Sequence, residues 1–347
     1  MIVYSHPRSG STAFLKIVKW LKKNKDGARD VLDLGEWLNF GAMHNTSENR
    51  NHSWIDRGRE KQHKWRPFYQ TLVQHFVYDE KTTPIGHTYC VVDTDVFDMD
   101  FDDPDFLSRC QERWITKGKG LVHGDPVGHP LKEVTRVFDS RDEVLEDLVE
   151  QYNLRVQYLM RLKKHGVSFV AKHFPNPGGG APFFVNQNLI AQILPLTPQP
   201  DDVILIANDL RRATLSLAIL HKYERVGTVH NYQDEKPPLT PLPNKQIGKK
   251  FLETRIGQLS SLYDLIEEGY TSNILTKDDL FVKQAICINN TEYNLTEYFD
   301  SVVKREFAMR YTEDLSKYFD NSNSSIALLH KHMLEHYPNI VKTYLKL

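Results

Sequence analysis

The sequence predicts an α/β protein, a mainly parallel sheet flanked by helices, and three stretches carry that prediction. Residues 2–24 read as strand, loop and helix. Val167–Ala171 and Asp202–Ala207 are short runs of mostly apolar residues, as expected of parallel strands buried on both faces. The second run leads straight into an amphipathic helical pattern after Asp209. At 347 residues the chain is read as one domain, with residues 41–140 as a large insertion.

The first stretch organises the rest. Ile2, Val3 and Tyr4 suit a strand, and Ser5 to Thr12 is a run of small, polar and turn-forming residues. Phe14, Leu15, Ile17, Val18 and Leu21 then recur at helical spacing, with Lys16, Lys19, Lys22 and Lys23 between them. A loop at such a junction gathers backbone N–H groups, and the helix N-terminus adds partial positive charge. The combination is suited to holding an anion. Arg8 contributes a cation, Ser9, Ser11 and Thr12 contribute hydroxyls, and Gly10 allows close backbone approach. The triphosphate loop G-x-x-x-x-G-K-[ST] is absent, so a Mg-ATP site fits poorly.

Further along, Val31–Leu34 suits a second short strand, followed by Gly35-Glu36-Trp37. Residues 41–140 show the least regular pattern. Arg57, Arg59, Lys61, Lys64 and Arg66 form a basic segment with Trp65 and Phe68, best read as a solvated helix face. Val91–Phe106 alternates aspartates with apolar residues and predicts a strand with one acidic face. It lacks the glycine and distal glutamate of a calcium loop, so no metal is expected. Lys117–Pro130 is rich in Gly and Pro and predicts a loop. Asp142–His165 predicts a long helix capped by Gly166. The strand at 167–171 ends in Lys172-His173-Phe174-Pro175, and Pro175–Gly180 reads as a loop. Asp209 is placed as an N-cap, with Arg212 and Ser216 one turn apart on the helix that follows. Four prolines between 237 and 243 mark a connector, and Lys249–Glu268 predicts another helix. His330, His332 and His336 have helical spacing without a carboxylate motif and read as exposed rather than metal-bound.

Composition excludes several classes. A net charge of −1 gives no global field for nucleic acid or acidic membrane, so an anionic ligand needs a local site. No apolar run approaches the ~18 residues of a membrane span. Three scattered cysteines suggest neither a disulfide framework nor a zinc site, and with no signal-like start they predict a cytoplasmic location.

Pro7-Arg8-Ser9-Gly10-Ser11-Thr12 closely resembles the 5′-phosphosulfate loop of sulfotransferases that use 3′-phosphoadenosine-5′-phosphosulfate (PAPS), particularly the carbohydrate and bacterial members. The resemblance covers about the first 40 residues and roughly 165–280. It implies a nucleotide-binding fold of the P-loop type, with ligands at the carboxyl ends of the strands and the insertion over the acceptor. It implies that residues 7–12 hold the phosphosulfate, and that Glu36 or His173 takes the acceptor's proton. By the same resemblance Lys172 contacts the sulfuryl group. The family's Lys-Thr-His string is shortened here to Lys172-His173. Its 3′-phosphate site places Ser216 on the family's serine and Asn208 where an arginine is usual, leaving Arg211 or Arg212 to supply the charge. The implied cofactor is PAPS, released as adenosine 3′,5′-bisphosphate (PAP). The implied acceptor is a hydroxyl of a carbohydrate or small molecule. An ATP-using transferase and a non-catalytic PAP-binding protein are the alternatives. Asn273 to Leu280 resembles weakly a Tyr-Glu-Asp-Leu string of the family, with Lys277-Asp278 in place of Tyr-Glu.

Overall fold

The computed structural model describes residues 1–27, 31–35, 37–38, 85–109, 131–175, 192–222, 245–271, 273–302 and 314–346. The described chain divides into two compact units. Met1–Ile2, Val18–His173 and Gly180–Thr197 form the first, while Val3–Ile17, Phe174–Gly179 and Pro198–Leu347 form the second.

In chain order the elements begin with β1 (Ile2–Ser5), α1 (Ser11–Asn24) and β2 (Leu32–Gly35). Then come β3 (Ile85–Val92), a 3₁₀ turn at Thr94–Asp98, β4 (Leu131–Phe138), α2 (Arg141–Lys164) and β5 (Phe169–His173). They continue with β6 (Val203–Ile206), α3 (Leu210–Lys222), α4 (Lys249–Glu267), β7 (Ile274–Thr276) and α5 (Lys277–Phe281). The described chain closes with β8 (Ala285–Ile288), β9 (Thr291–Asn294), α6 (Thr296–Val302), a 3₁₀ turn at Leu315–Tyr318, α7 (Ser322–His336) and α8 (Pro338–Tyr344). Five strands form a parallel sheet in the order β2-β5-β1-β6-β7. Every residue of β1, β5 and β6 is buried, as the apolar runs predict for strands covered on both faces.

Register matters for the site. Val3 pairs with Val203, Tyr4 with Ile204 and Ser5 with Leu205. Ile204, Leu205 and Ile206 pair in turn with Ile274, Leu275 and Thr276. Three parallel strands therefore end level with one another. The segments that leave them, at His6, Ala207 and Lys277, start from one edge of the sheet, where α/β sheets place their ligands.

Within the first unit, α2 is capped by Ser140, whose hydroxyl accepts from the Glu143 backbone at 3.2 Å. Gly166 takes a positive φ of 66° beyond its C-terminus, the role read for it from the sequence. Trp37 and the buried Arg155 clamp each other. The Trp37 indole donates to the Arg155 carbonyl at 3.1 Å, and the guanidinium donates to the Trp37 carbonyl at 2.9 Å and stacks on the indole at 4.6 Å.

The expected strand at Val91–Phe106 is not what forms. β3 stops at Val92, the 3₁₀ turn follows, and aspartate side chains bend the remainder. The Asp102 backbone donates to Asp100 at 3.0 Å, and that of Asp105 to Asp103 at 2.9 Å. Short acidic side chains capture nearby N–H groups and compete with a ladder, so period-2 alternation misleads here. β3 pairs antiparallel with β4, a pairing the pattern did not reveal. The basic segment at 57–66, the loop at 117–130 and the prolines at 237–243 lie outside the described residues.

Within the second unit, α4 buries Leu252, Leu259, Leu262, Tyr263 and Ile266 together with Arg255 and Gln258. A second cluster joins Leu215, Ala218 and Ile219 of α3 to Ile247, Leu252, Tyr318, Phe319 and Ile326. Burying such side chains stabilises by about 1.5–3 kcal/mol each, which fixes α3 and hence the residues at its start.

Candidate functional site

The site is built on the loop between β1 and α1. Arg8 has a φ of 71° and Gly10 a φ of 93°. Left-handed backbone costs a non-glycine residue about 1 kcal/mol and gathers at functional sites. Gly10 cannot carry a side chain without crowding. A Cβ there would stand 3.2 Å from Phe281 Cε2 and 3.7 Å from Lys277 Cγ. The Phe14 backbone donates to the Gly10 carbonyl at 3.0 Å, so Gly10 starts α1 and the first-turn N–H groups face back towards the loop. Ser9 is fully buried, and among the described residues its Oγ has no hydrogen-bond partner. An unsatisfied buried hydroxyl costs about 1–3 kcal/mol, which a ligand oxygen would relieve.

Arg8 reaches across the sequence. Its Nε donates to Ser216 Oγ at 2.9 Å. The two residues therefore meet, one from the predicted phosphosulfate loop and one from the predicted 3′-phosphate site. Asp209 caps α3 as expected, its carboxylate accepting from the Arg212 backbone at 2.8 Å. The two arginines go different ways. Arg211 donates to Asn323 on α7 at 2.9 Å. Arg212 couples electrostatically to Lys277 and sits one turn before Ser216, on the same face of the helix. Asn208 is buried, and its carbonyl accepts from the Lys346 backbone at 2.8 Å.

Two contributors escaped the sequence reading. Arg255 is wholly buried in α4 and braces the loop from beneath. It donates to the Pro7 carbonyl at 3.2 Å, to Thr214 at 3.3 Å and to Gln258 at 3.4 Å, and it lies 3.1 Å from His6 Nδ1. Burial lowers its pKa to about 10, so it stays charged at neutral pH. The signal was its place on the helix, on the stripe of Leu252, Leu259 and Leu262. Lys277 is the other. It follows β7 directly, so the end of a parallel strand was its clue.

His6 links loop and sheet. The Ala207 N–H points at its Nε2 at 3.4 Å, and its Nδ1 lies 3.0 Å from the Pro7 carbonyl. Ala207 offers a proton to Nε2, while at Nδ1 the Pro7 carbonyl accepts one and the Arg255 guanidinium offers one, and these partners suit a neutral ring. Burial first, and then the charge of Arg255, push its pKa well below 6.5.

Lys172 and His173 are the last two residues of β5, in the first unit, at 3% and 4% exposure. They stand inside the strand rather than in a turn after it. Burial lowers the His173 pKa to about 3, which keeps the ring neutral and makes it a feeble base. Glu36 lies outside the described residues, between Gly35 at the end of β2 and the clamped Trp37.

Fold and site together define an α/β protein with a strained, cation-lined turn between strand and helix. No family model, curated protein or solved structure matches the chain. No described helix is long and apolar enough to cross a membrane.

Proposed function

We propose that this chain is a PAPS-dependent sulfotransferase acting on a hydroxyl of a carbohydrate or small molecule, in the cytoplasm. One observation supports the reading above others. Arg8 and Ser216, 208 positions apart, are joined by a 2.9 Å hydrogen bond. The resemblance assigns these two residues to one nucleotide, and their contact puts the loop and α3 side by side, which is compatible with a shared site. The orphaned Ser9 hydroxyl and the glycine-only cradle at Gly10 fit the same group.

In this reading residues 7–12 surround the phosphosulfate with N–H groups, hydroxyls and the Arg8 guanidinium. Ser216 and Arg212 hold the 3′-phosphate, the arginine through a fork that matches phosphate oxygens. When bound, PAPS supplies an activated sulfuryl group. The acceptor oxygen forms a bond to sulfur as the sulfur–phosphate oxygen bond breaks, and PAP carries away the electron pair. Arg8 and the loop N–H groups stabilise the charge that gathers on the leaving phosphate. The acceptor proton passes to a base, the role the resemblance gives to Glu36 or His173, of which His173 is a weak one.

The same weak basicity favours a second reading, a protein that binds PAP without turnover. One experiment separates the two. PAP affinity is measured by calorimetry, and sulfuryl transfer from PAPS is followed over a panel of sugars and small alcohols. Arg8→Ala is expected to weaken PAP by about a hundredfold and to abolish transfer. Wild-type binding without transfer to any acceptor selects the second reading. PAP binding unchanged by Arg8→Ala defeats both.

A further inference from the structure

His6, Pro7, Arg8 and Ser9 make a single turn, closed by a hydrogen bond from the Ser9 N–H to the His6 carbonyl at 3.3 Å. A proline second and a positive φ of 71° third are the combination of a type II turn. The commoner type I differs by a rotation of the central peptide, here Pro7–Arg8, which would return residue 8 to negative φ. Glycine or asparagine is the ordinary occupant of that third position, and arginine is not. The peptide is held from outside the turn.

The Pro7 carbonyl is met by two side chains. Arg255 of α4 donates to it at 3.2 Å, and the His6 ring lies against it with Nδ1 at 3.0 Å. Both side chains are buried, and each is fixed at a second point. The Ala207 N–H, just past β6, meets His6 Nε2 at 3.4 Å, and Arg255 Nε donates to Thr214 of α3 at 3.3 Å. The two also meet each other, with Arg255 Nη2 3.1 Å from His6 Nδ1. All of these residues belong to the second unit. A trans peptide carries its C=O and N–H on opposite sides, so with the carbonyl turned to the buried guanidinium the Arg8 N–H faces the other way.

We propose that His6 and Arg255 are positioning residues that fix the Pro7–Arg8 peptide in this orientation and so present the Arg8 N–H to a phosphate or sulfonate group held by the loop. Both act through the backbone of Arg8, and neither touches the ligand. The inference rests on the sulfotransferase reading only for the identity of that group.

The test compares two conservative variants of the full chain by calorimetry, with PAP and with inorganic pyrophosphate as separate probes. His6→Asn keeps, near the place of Nδ1, a donor for the Pro7 carbonyl and an acceptor for Arg255. His6→Gln carries its amide further out, towards the place of Nε2, and leaves the carbonyl. The expected result is binding within about threefold of wild type for His6→Asn and about tenfold weaker for His6→Gln. Ile266→Ala, three turns along α4 from Arg255, controls for lost packing. It is expected to lower the denaturation midpoint and keep wild-type affinity, and a matching tenfold loss there overturns the positioning role. PAP binding at equal affinity in the two histidine variants, or in the reverse order, overturns that role and leaves the nucleotide reading standing. Pyrophosphate binding in the expected order, but no PAP binding, upholds the role and overturns the nucleotide reading. Binding of neither probe by wild type overturns both. Where His6→Gln fails to fold, the crystal structure of His6→Asn decides, by whether the Pro7 carbonyl keeps its contact with residue 6 and Arg8 its positive φ.

Discussion

The loop at residues 7–12 and the strand end at Lys172-His173 are two of the places where the sequence resembles a sulfotransferase, and the structure treats them in opposite ways. At the turn, Arg8 is half-buried with left-handed backbone and a hydrogen bond to Ser216. A buried guanidinium supports it from below. At the strand end both side chains lie within a fully buried strand, and the histidine has lost most of its basicity. The same kinds of residue become an electropositive turn in one place and part of a covered sheet in the other. What separates them is backbone conformation. Positive φ at Arg8 and Gly10 turns the chain out of the sheet, while extended backbone at residues 172–173 continues it. A string match gives residue types, and exposure decides which chemistry they can do.

The largest effect that would sharpen this contrast lies beneath the turn. Arg255→Lys keeps a positive charge but loses the planar fork that serves Pro7, Thr214 and Gln258 together. The expected cost is about 3 kcal/mol of stability, read from denaturant unfolding, with a parallel loss of PAP affinity. If the variant loses stability while PAP affinity stays at the wild-type value, Arg255 serves the core and not the loop.

That residue also shows where the sequence stopped being legible. β1 with its loop and α1, the strand before α3, the Asp209 cap, and the long helices α2 and α4 all follow from local pattern and local chemistry. Arg255 does not, because its partners at Pro7 and His6 lie about 250 positions away and a lone arginine in a helix normally points to solvent. Its helical phase, shared with Leu252 and Leu259, was the only trace. Lys277 was hidden for a similar reason. Its importance comes from strand register, which fixes neighbours that no sequence window contains. The aspartates of 98–105 failed in the other direction, since local side-chain capture overrode an alternating pattern.

Acid should strain both regions in the same direction. The pKa values of His6 and His173 are lowered in the folded state, so below about 6.5 the unfolded chain binds protons that the folded chain does not. Stability is then fully present above the unfolded value and is lost as pH falls, for His173 until about 3. For His173 the expected slope is about 1 kcal/mol per pH unit, seen as a falling midpoint of denaturation between about pH 6.5 and 4.5, with His6 acting in the same direction. A flat midpoint across that window would mean that both rings gain protons at no cost to the fold, and the burial that sets their pKa values would not matter for stability.

The smallest expected effect bears on whether the turn and α3 form one site. Ser216→Ala removes the hydroxyl that accepts from Arg8 Nε, leaving the guanidinium charge in place and the helix intact. Alone it should weaken PAP by about fivefold, since one hydrogen bond to a charged group contributes about 1.5–3 kcal/mol at most and the phosphate can take over the arginine. The informative quantity is the coupling with Arg8→Lys, which keeps charge but lacks Nε. If Arg8 and Ser216 act on one nucleotide, the double variant binds PAP about as well as the poorer single variant, a coupling of about 1 kcal/mol. If the two losses simply add, Arg8 and Ser216 contribute to binding without depending on each other, and the bond between them does not organise the site. The cycle therefore tests whether the 2.9 Å contact between residues 208 positions apart serves a shared ligand or only a shared core.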